Sequence, residues 1–165
     1  MAETGTASIL VDADLRKSVM VDKYDIRRKD QGKLLGTSDL LAQDKPVEDV
    51  VLHTQIEGGD ILPNVKNVVN PSMLMESRQL EQMLDKMSDM YRYVFIDAPP
   101  LSLVSDGEKI GSLCDGAILV EYQSQNRTAG SLQLLDRIAY QLLLGKSSPY
   151  NQNSTITQGA YLFTV

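Results

Sequence analysis

Short apolar segments alternate along the chain with segments whose apolar residues recur at helical spacing. Two of the apolar segments end on an acid: residues 8–11 run into Asp12, and residues 93–96 run into Asp97. A third segment, residues 117–120, contains no polar residue. Runs of this kind are typical of strands that are buried on both faces of a sheet. The pattern therefore predicts an α/β fold, with a mostly parallel sheet and helices on both of its faces.

The clearest helical pattern follows Asn70-Pro71-Ser72. Its apolar residues form one stripe, typical of a helix that packs on a core: Leu80, Met83, Leu84, Met87 and Met90. Methionines at this spacing indicate core packing rather than a metal-binding site. Weaker patterns predict a loop over residues 16–36, short strands at 50–52 and 60–62, and helices starting at Thr37, over 108–113 and over 128–144.

The last part of the chain differs from the rest in composition. Residues 147–165 are rich in Asn, Gln, Ser and Thr, and only residues 160–163 form an apolar run. We therefore predict one domain over residues 1–146 and a polar C-terminal tail over residues 147–165, which is frayed or appended to the domain.

Composition narrows the class of protein. A chain of 165 residues with 42% hydrophobic and 23% charged residues is long enough for one globular domain. Its net charge is -6, whereas nucleic-acid-binding proteins carry basic patches, so no nucleic-acid partner is expected.

Cys114 is the only cysteine in the sequence, which favours a buried structural thiol in a reducing compartment. With no signal-like segment or membrane-length apolar run, the chain is predicted to be cytoplasmic. The single histidine, His53, is interpreted as a strand-edge residue.

Three acids are the candidate chemical groups. Asp12 and Asp14 follow the first predicted strand, and Asp97 ends another. Ligands of open parallel sheets bind beyond the carboxyl ends of the strands, so these side chains are expected to converge on one crevice. Carboxylates are hard oxygen ligands that suit Mg²⁺, and an acid can orient an attacking hydroxyl in phosphoryl transfer. The alternative interpretation is that acids merely cap strand ends; two such ends, one with Asp12-Ala13-Asp14, favour function.

Several segments also occur in a specific order: Asp12-Ala13-Asp14-Leu15-Arg16, Gly36-Thr37-Ser38-Asp39, Ile61-Leu62-Pro63, Asn70-Pro71, Asp97-Ala98-Pro99-Pro100 and residues 115–120. Over roughly residues 8–140, this order resembles the bacterial tyrosine kinases of capsule and exopolysaccharide assembly, within the P-loop NTPase superfamily. The resemblance implies a nucleotide-binding, kinase-like domain over residues 1–146.

The resemblance also implies roles and partners. Members of this family transfer phosphate from ATP to tyrosines with the help of Mg²⁺, act with a membrane-bound polysaccharide co-polymerase, and assemble as homo-oligomeric rings. By resemblance, Asp12 holds Mg²⁺ and helps to activate the acceptor hydroxyl, Asp14 is a base or orienting group, and Asp97 contacts the metal through water. Tyr150 and Tyr161 are the candidate phosphoacceptors, and the chain is expected at the inner face of the cell membrane through its partner.

One departure from the family pattern changes these expectations. The family places a Gly-x-x-x-x-Gly-Lys-Ser/Thr loop ahead of the strand that ends at Asp12, and residues 1–7 contain no lysine. The Gly145-Lys146-Ser147 triplet is no substitute, because Tyr140 stands at the first glycine position and Pro149 follows. The domain is thus expected to be incomplete and truncated at its N-terminus, with impaired ATP binding and activity. Smaller departures include Ser18, where the family often has proline.

Three functions remain open from the sequence. The first is an ATP-dependent protein-tyrosine autokinase domain that regulates polysaccharide biosynthesis, inactive or impaired in this chain. The second is a non-catalytic adaptor of polysaccharide assembly. The third is a relative of the partition-type ATPases, which the Asp12-Ala13-Asp14 and Asn70-Pro71 segments disfavour. These proteins share one type of sheet, so the fold alone does not separate them.

Overall fold

The structure, a computed structural model, describes residues 5–28, 32–43, 45–99, 106–119 and 161–164. Its strands are β1 (Ser8–Asp12), β2 (Leu52–His53), β3 (Gly59–Leu62), β4 (Tyr93–Ala98), β5 (Gly116–Leu119) and β6 (Tyr161–Thr164). Its helices are α1 (Met20–Lys23), α2 (Thr37–Gln43), α3 (Val47–Val50), α4 (Ser72–Met75), α5 (Arg78–Met90) and α6 (Asp106–Ser112). The strands form one sheet in the order β2-β3-β1-β4-β6-β5.

The sheet is mixed, but most of its strands share one direction. β1 lies between β3 and β4 and pairs parallel with both, while β2 pairs antiparallel with β3 at one edge. β6 is antiparallel to both β4 and β5, so β5 runs in the same direction as β4. Four of the six strands therefore run in one direction, and the predicted α/β class is confirmed.

The core lies where the central strands meet α5. Ile9, Val11, Val94 and Ile96 of the central strands are buried almost completely, as expected for strands covered on both faces. From α5 the core receives Leu80, Met83, Leu84 and Met87. Burial of such side chains contributes about 1.5–3 kcal/mol each. The predicted stripe is wrong at its last position, because Met90 ends the helix with 45% of its surface exposed.

The start of α2 docks against the loop that follows β3. The Thr37 amide donates to the carbonyl oxygen of Pro63 at 2.9 Å, and the Ser38 hydroxyl donates to the Lys66 carbonyl at 3.2 Å. Gly36 makes this approach possible, since a Cβ at position 36 would lie 2.2 Å from the Pro63 carbonyl oxygen. Any side chain there would push the two segments apart. The helix predicted from Thr37 is therefore present and has a defined partner.

The C-terminal strand was not expected from the sequence. β6 lies between β4 and β5, although the tail that contains it was predicted to be frayed or appended. That prediction is wrong for residues 161–164, because the apolar run is paired through its backbone on both sides. The boundary predicted between residues 146 and 147 falls outside the described residues and stays a prediction.

Other local predictions have mixed outcomes. The strand predicted at residues 50–52 is wrong in part, since Val50 ends α3 and β2 begins at Leu52. The loop predicted over residues 16–36 contains the single turn α1. The helix predicted at 108–113 is present as α6, whereas the one predicted at 128–144 lies outside the described residues. Within the described parts, no helix has the length and apolarity to cross a membrane.

The predicted burial of Cys114 and the predicted strand-edge position of His53 are confirmed. Cys114 is buried, and its thiol lies 3.1 Å from the Ile110 carbonyl oxygen, to which it donates. His53 belongs to the edge strand β2 and is exposed. Its Nδ1 lies 2.8 Å from Asp60, whose other carboxylate oxygen accepts a hydrogen bond from the Tyr91 hydroxyl at 2.7 Å. Both residues therefore serve structure.

Candidate functional site

Asp12 and Asp97 are direct neighbours at the carboxyl ends of two parallel strands. In the β1–β4 register Asp12 is paired with Asp97, which places their Cα atoms about 5 Å apart. Ala13, the first residue after β1, extends this pairing, because its amide donates to the Asp97 carbonyl oxygen at 2.8 Å. The predicted convergence of the two strand ends is therefore present in the backbone pairing itself.

A cavity of about 620 Å³ opens at this edge of the sheet. All three predicted acids line it, together with residues from the segment that follows β1: Asp12, Asp14, Asp97, Lys17, Ser18, Val19, Lys23 and Tyr24. Val19 and Tyr24 are largely exposed, and the Lys23 ammonium lies 5.3 Å from the centre of the Tyr24 ring. The cavity thus combines an acidic group of side chains with two lysines and exposed apolar surface.

Asp12 is almost completely buried, with 1% of its surface exposed. One carboxylate oxygen accepts the Asp14 amide at 3.1 Å, and the other accepts the Ser18 hydroxyl in a short hydrogen bond and the Asn64 amide at 3.3 Å. A carboxylate has about four acceptor positions, so one position of Asp12 remains for a ligand.

Burial raises the pKa of Asp12 from its ordinary value to about 6. The hydrogen bonds from Ser18, Asn64 and Asp14 favour the charged form and oppose this rise, whereas the neighbouring charge of Asp97 adds to it. Asp12 is therefore an acid that changes its charge close to neutral pH. An acid of that strength can accept a proton from a hydroxyl group more readily than an ordinary aspartate.

Asp14 shapes the turn that follows β1. One of its carboxylate oxygens accepts the amides of Arg16 and Lys17, at 3.1 Å and 3.0 Å. The Asn64 side-chain amide donates to the Asp14 carbonyl oxygen at 3.2 Å and holds the turn from the β3 side. Asp14 is partly exposed at the cavity, and its second carboxylate oxygen accepts no hydrogen bond from the described residues.

Asp97 differs from its neighbour Asp12, because none of the described residues donates a hydrogen bond to its side chain. Its carboxylate accepts no hydrogen bond from any residue that the structure describes, and the side chain is partly buried in the cavity wall. Burial, followed by the charge of Asp14, raises the pKa of Asp97. An unpartnered carboxylate beside two other acids is the arrangement that a bound cation would stabilise most.

Arg16 connects the turn to α6. Its Nε donates to Asp106 at 2.8 Å, and a second guanidinium nitrogen donates to the Ser72 hydroxyl at 3.3 Å. The Asp106 side chain is 4% exposed, so this ion pair is largely shielded from water. Arg16 therefore holds the turn after β1 against α6 and α4, and it does not line the cavity.

The donor set fits Mg²⁺ better than a metal held by protein ligands alone. In residues 5–28, 32–43, 45–99, 106–119 and 161–164, no group of three or more His, Cys, Asp and Glu side chains is arranged to hold a metal ion. Mg²⁺ commonly takes only one or two carboxylates and completes its shell with water and phosphate oxygens. The free oxygens of Asp97 and the remaining position on Asp12 supply that number.

Two groups around the acids were missed as site residues by the sequence reasoning. Ser18 was noted only as a departure from the family pattern, yet its hydroxyl donates to Asp12. Asn64 could have been found, since it follows the apolar end of β3 just as Asp12 ends β1. Its side-chain oxygen is buried and has no hydrogen-bond partner within the described part of the chain.

Only one of the predicted phosphoacceptors falls in the described part of the chain. Tyr161 begins β6 and is paired with Ala98, the last residue of β4, while Leu162 is paired with Asp97. Tyr150 lies outside the described residues. The predicted acids and one predicted acceptor thus share the same edge of the sheet.

The fold and this site define an α/β protein with an acidic cavity beyond its parallel strands. A family model described as an AAA domain (AAA_31) matches residues 1–140. The tyrosine-protein kinase CpsD of Streptococcus agalactiae is 31% identical over 120 residues, which are 73% of this chain and 51% of that protein. This chain therefore spans about half the length of that relative.

Solved structures show the same likeness. The BceF tyrosine kinase domain is 29% identical with a TM-score of 0.64, and the match covers 87% of this chain and 53% of that one. The VpsO kinase domain is 24% identical with a TM-score of 0.69, covering 90% and 69% of the two chains, which is a likeness of fold.

The chain belongs to the AAA domain family that this model describes, and the predicted resemblance to bacterial tyrosine kinases of the P-loop NTPase superfamily is confirmed.

Proposed function

We propose that this chain carries the metal- and acceptor-binding part of a protein-tyrosine kinase site that uses ATP and Mg²⁺. The observation that carries the proposal is the register pairing of Asp12 with Asp97, with Asp14 lining the same cavity. Phosphoryl transfer depends mainly on positioning and on neutralising charge, which a small group of fixed carboxylates can provide. The tyrosine-protein kinases among the relatives support this chemistry.

We assign each of the three acids a role from the acceptor positions that its carboxylate has left for a ligand. Asp97 and the last free position of Asp12 would hold Mg²⁺, which neutralises charge on the phosphoryl group during transfer. Asp14 keeps one carboxylate oxygen free and would orient the acceptor hydroxyl. Asp14 would also take up the hydroxyl proton, and Asp12 would help to activate the hydroxyl through the metal ion that it holds.

The cavity also has groups that suit a phosphorylated ligand and a peptide. Lys17 and Lys23 line it and would offset the negative charge of phosphate groups. Tyr24 and Val19 expose apolar surface beside them, where the ring of an acceptor tyrosine could pack. Tyr161 is proposed as an acceptor because its backbone already lies at this edge, and Tyr150 because it belongs to the same tail.

The biological setting proposed for this site is polysaccharide assembly at the inner face of the cell membrane. The basis is the sequence resemblance to the capsule and exopolysaccharide kinases, which act with a membrane-bound co-polymerase and form rings. We propose the same kind of partner and assembly for the protein that contains this chain.

The decisive experiment supplies the phosphate-binding loop that the 165 residues lack. A chimaera would carry the loop-bearing N-terminal segment of the Streptococcus agalactiae relative ahead of residue 6, and phosphotyrosine would be measured by mass spectrometry after incubation with Mg-ATP. We expect tyrosine phosphorylation that falls at least about a hundredfold in Asp12→Asn and in Asp97→Asn.

Asp85→Asn is the matched control, because Asp85 is an exposed carboxylate on α5. It should leave phosphorylation unchanged. Equal phosphorylation in the Asp12, Asp97 and Asp85 variants would rule out the assigned roles. A folded chimaera that binds Mg-ATP and phosphorylates no tyrosine would instead favour the adaptor function.

The 165-residue chain by itself gives a second measurement. Its sequence contains no Gly-x-x-x-x-Gly-Lys-Ser/Thr segment, whose amides and lysine normally hold the phosphates. We therefore expect calorimetry to detect no saturable Mg-ATP binding at millimolar concentration. Tight binding would show that other groups, such as Lys17 and Lys23, hold the nucleotide.

A further inference from the structure

The two carboxylate oxygens of Asp12 have different surroundings. Oδ2 accepts two hydrogen bonds, one from the Ser18 hydroxyl and one from the Asn64 amide at 3.3 Å. Within the described residues Oδ1 accepts a single one, from the Asp14 amide at 3.1 Å. A carboxylate oxygen has two acceptor positions, so Oδ2 is filled and Oδ1 keeps one position. The protein therefore closes one side of the Asp12 carboxylate and leaves the other side open to a ligand.

Ser18 closes Oδ2 with a hydroxyl group whose orientation is fixed by its neighbours. The hydroxyl oxygen accepts the Met20 amide at 3.2 Å, and its one proton is donated to Asp12. The Ser18 amide donates to the side-chain oxygen of Asn67 at 3.1 Å, which ties the backbone of Ser18 to the loop after β3. A hydroxyl held in this way keeps its proton directed at Asp12.

The loop after β3 holds the turn that carries Ser18 at two further points. The Asn64 side-chain amide donates to the Asp14 carbonyl oxygen at 3.2 Å, and the Val68 amide donates to the Leu15 carbonyl oxygen at 2.7 Å. These bonds join residues 14–15 to residues 64–68. The position of Ser18 beside Asp12 therefore depends on several contacts with a neighbouring segment.

A carboxylate with one oxygen closed limits how a cation can bind. It offers a single oxygen, which suits Mg²⁺, because the octahedral shell of this ion is strict in its geometry. Ca²⁺ has a larger and more flexible shell and commonly takes both oxygens of one carboxylate. Closing Oδ2 of Asp12 therefore removes the contact that would favour Ca²⁺ and leaves the contact that Mg²⁺ can use.

Asp97 does not distinguish the two ions in this way. None of the described residues donates a hydrogen bond to its carboxylate, so both of its oxygens are open to either cation. Ser18 lines the cavity together with Asp12 and Asp97. A preference between Mg²⁺ and Ca²⁺ must therefore come from Asp12, the acid whose second oxygen is occupied by a neighbouring side chain.

We propose that Ser18 is a specificity-determining residue that makes this site prefer Mg²⁺ over Ca²⁺ by closing Oδ2 of Asp12. Ser18 acts through Asp12 and is a positioning residue, not a metal ligand. The role rests on the proposed Mg²⁺ site. In Ser18→Ala the Asn64 amide remains on Oδ2, but one acceptor position opens there, so both oxygens of Asp12 can bind one ion.

Titration of the full chain with each metal ion alone tests this role without kinase activity. The ¹⁵N-labelled chain would be titrated with MgCl₂ and with CaCl₂ in the absence of nucleotide. The amide resonances of Asp12 and Asp97 then give the two dissociation constants by nuclear magnetic resonance. In Ser18→Ala we expect the ratio of Ca²⁺ affinity to Mg²⁺ affinity to rise about three- to tenfold over the wild type.

The ratio separates this role from a general effect on the site. Loss of the Ser18 hydrogen bond would raise the pKa of Asp12 further, because that bond favours the charged form. Both ions compete with the same proton, so such a change weakens both affinities alike and leaves their ratio unchanged. A merely structural loss would also weaken both ions together.

Ser18→Thr is the matched control, since threonine keeps the hydroxyl group, and it should retain the wild-type ratio. Ser88→Ala, which removes an exposed hydroxyl on α5, should retain it as well. An unchanged ratio in Ser18→Ala, or the same rise in Ser18→Thr, would overturn the role of Ser18 and leave the proposed Mg²⁺ site standing. If the Asp12 and Asp97 amides of the wild type respond to neither ion, the metal site and the role of Ser18 both fail.

The wild-type chain gives a further measurement that needs no substitution at position 18. Because Asp12 offers one oxygen, the wild type should bind Mg²⁺ at least as tightly as Ca²⁺. Circular dichroism would establish whether Ser18→Ala keeps the fold of the wild type. Should that variant not fold, tighter binding of Ca²⁺ than of Mg²⁺ by the wild type would still overturn the proposal.

Discussion

The two flanks of β4 hold this strand in opposite ways. On one flank β1 runs parallel to it, and the two carboxyl ends meet at the Asp12–Asp97 pair. On the other flank β6 runs antiparallel, so its first residue, Tyr161, meets the carboxyl end of β4 at Ala98. The parallel pairing therefore places Asp12 beside Asp97 at the carboxyl end of β4. The antiparallel pairing places Tyr161, the first residue of β6, at the same edge of the sheet.

The two flanks of β4 hold the two sides of the candidate site through different interactions. The acidic side of the site is fixed by two strands with fully buried apolar residues, such as Ile9 and Val94. The other side depends on backbone pairing with a segment that is distant in sequence. We therefore expect changes on the β1 flank to affect the whole domain and changes on the β6 flank to act locally.

The largest effect is expected from Ile9→Ala on the parallel flank. Ile9 is 0% exposed at the centre of β1, so its truncation removes packing and leaves a cavity. We expect the free energy of unfolding to fall by about 2–4 kcal/mol. Urea unfolding followed by circular dichroism measures this loss. A loss below that of Leu162→Pro would reverse the proposed ranking of the two flanks.

A smaller and more local effect is expected from Leu162→Pro on the antiparallel flank. The substitution removes one ladder hydrogen bond and disfavours the strand, which should cost about 1–3 kcal/mol. Hydrogen exchange should show fast exchange in β5 and β6 while β1 and β3 stay protected. Leu162→Val is the matched control and should preserve protection everywhere. Loss of protection in β1 would show that the two flanks open together.

The Asp12–Asp97 pair predicts a pH dependence on the parallel flank. Asp12 binds its proton more tightly in the folded than in the unfolded chain, because its pKa is raised from 3.8 to about 6. The folded state therefore gains stability from this group as the pH falls through 6, and loses it as the pH rises. Asp12→Asn removes the buried charge, which a pKa shift of this size makes worth about 3 kcal/mol at neutral pH. The amide also forfeits one of the hydrogen bonds that Asp12 accepts, so the net rise in the free energy of unfolding should be about 1–2 kcal/mol.

The comparison of Asp12→Asn with the wild type should be made over the acid range. The advantage of the variant is expected to shrink as the pH falls from 6 and to be gone near 3.8. Asp85→Asn, on the exposed face of α5, should show no such trend. An advantage that does not change with pH would mean that Asp12 is not protonated in the folded state near pH 6.

The smallest effect is expected from Lys109→Ala, which cuts a contact between α6 and α5. The Lys109 ammonium lies 3.1 Å from Glu81, with about a third of its side chain and half of the Glu81 side chain exposed. Ion pairs as open as this contribute about 0–1 kcal/mol, so we expect a change near the lower end of that range. Thermal unfolding measures it. A clearly larger loss would show that α6 depends on this pair for its position.

Much of the parallel flank was predictable because its signals are local. The apolar residues of β1 and β4 are consecutive, each strand ends on an acid, and parallel strands bring such ends together. The helix α5 was predictable for a similar reason, since its apolar stripe repeats over three turns. Met90 broke the pattern because the helix ends there and leaves the side chain beyond the core.

The antiparallel flank and the details of the site were not predictable in the same way. The apolar run at residues 160–163 does not indicate which strands it pairs with, because the hydrogen bonds between strands use backbone groups that all residues share. The hydrogen bond from Ser18 to Asp12 depends on how the chain turns between them, which no spacing rule fixes. Asn64 approaches Asp12 from the end of β3, a contact between residues 52 positions apart.

Gly36 has a consequence for how proteins with this fold can diverge. Its hydrogen-sized side chain allows the Pro63 carbonyl to approach α2, so even a methyl group would have to move a backbone segment on which Asn64 depends. A saturation library at position 36, selected for folding, should return glycine almost exclusively. In a related chain, a different residue at the equivalent position would signal that the loop behind the acidic cavity has been rebuilt.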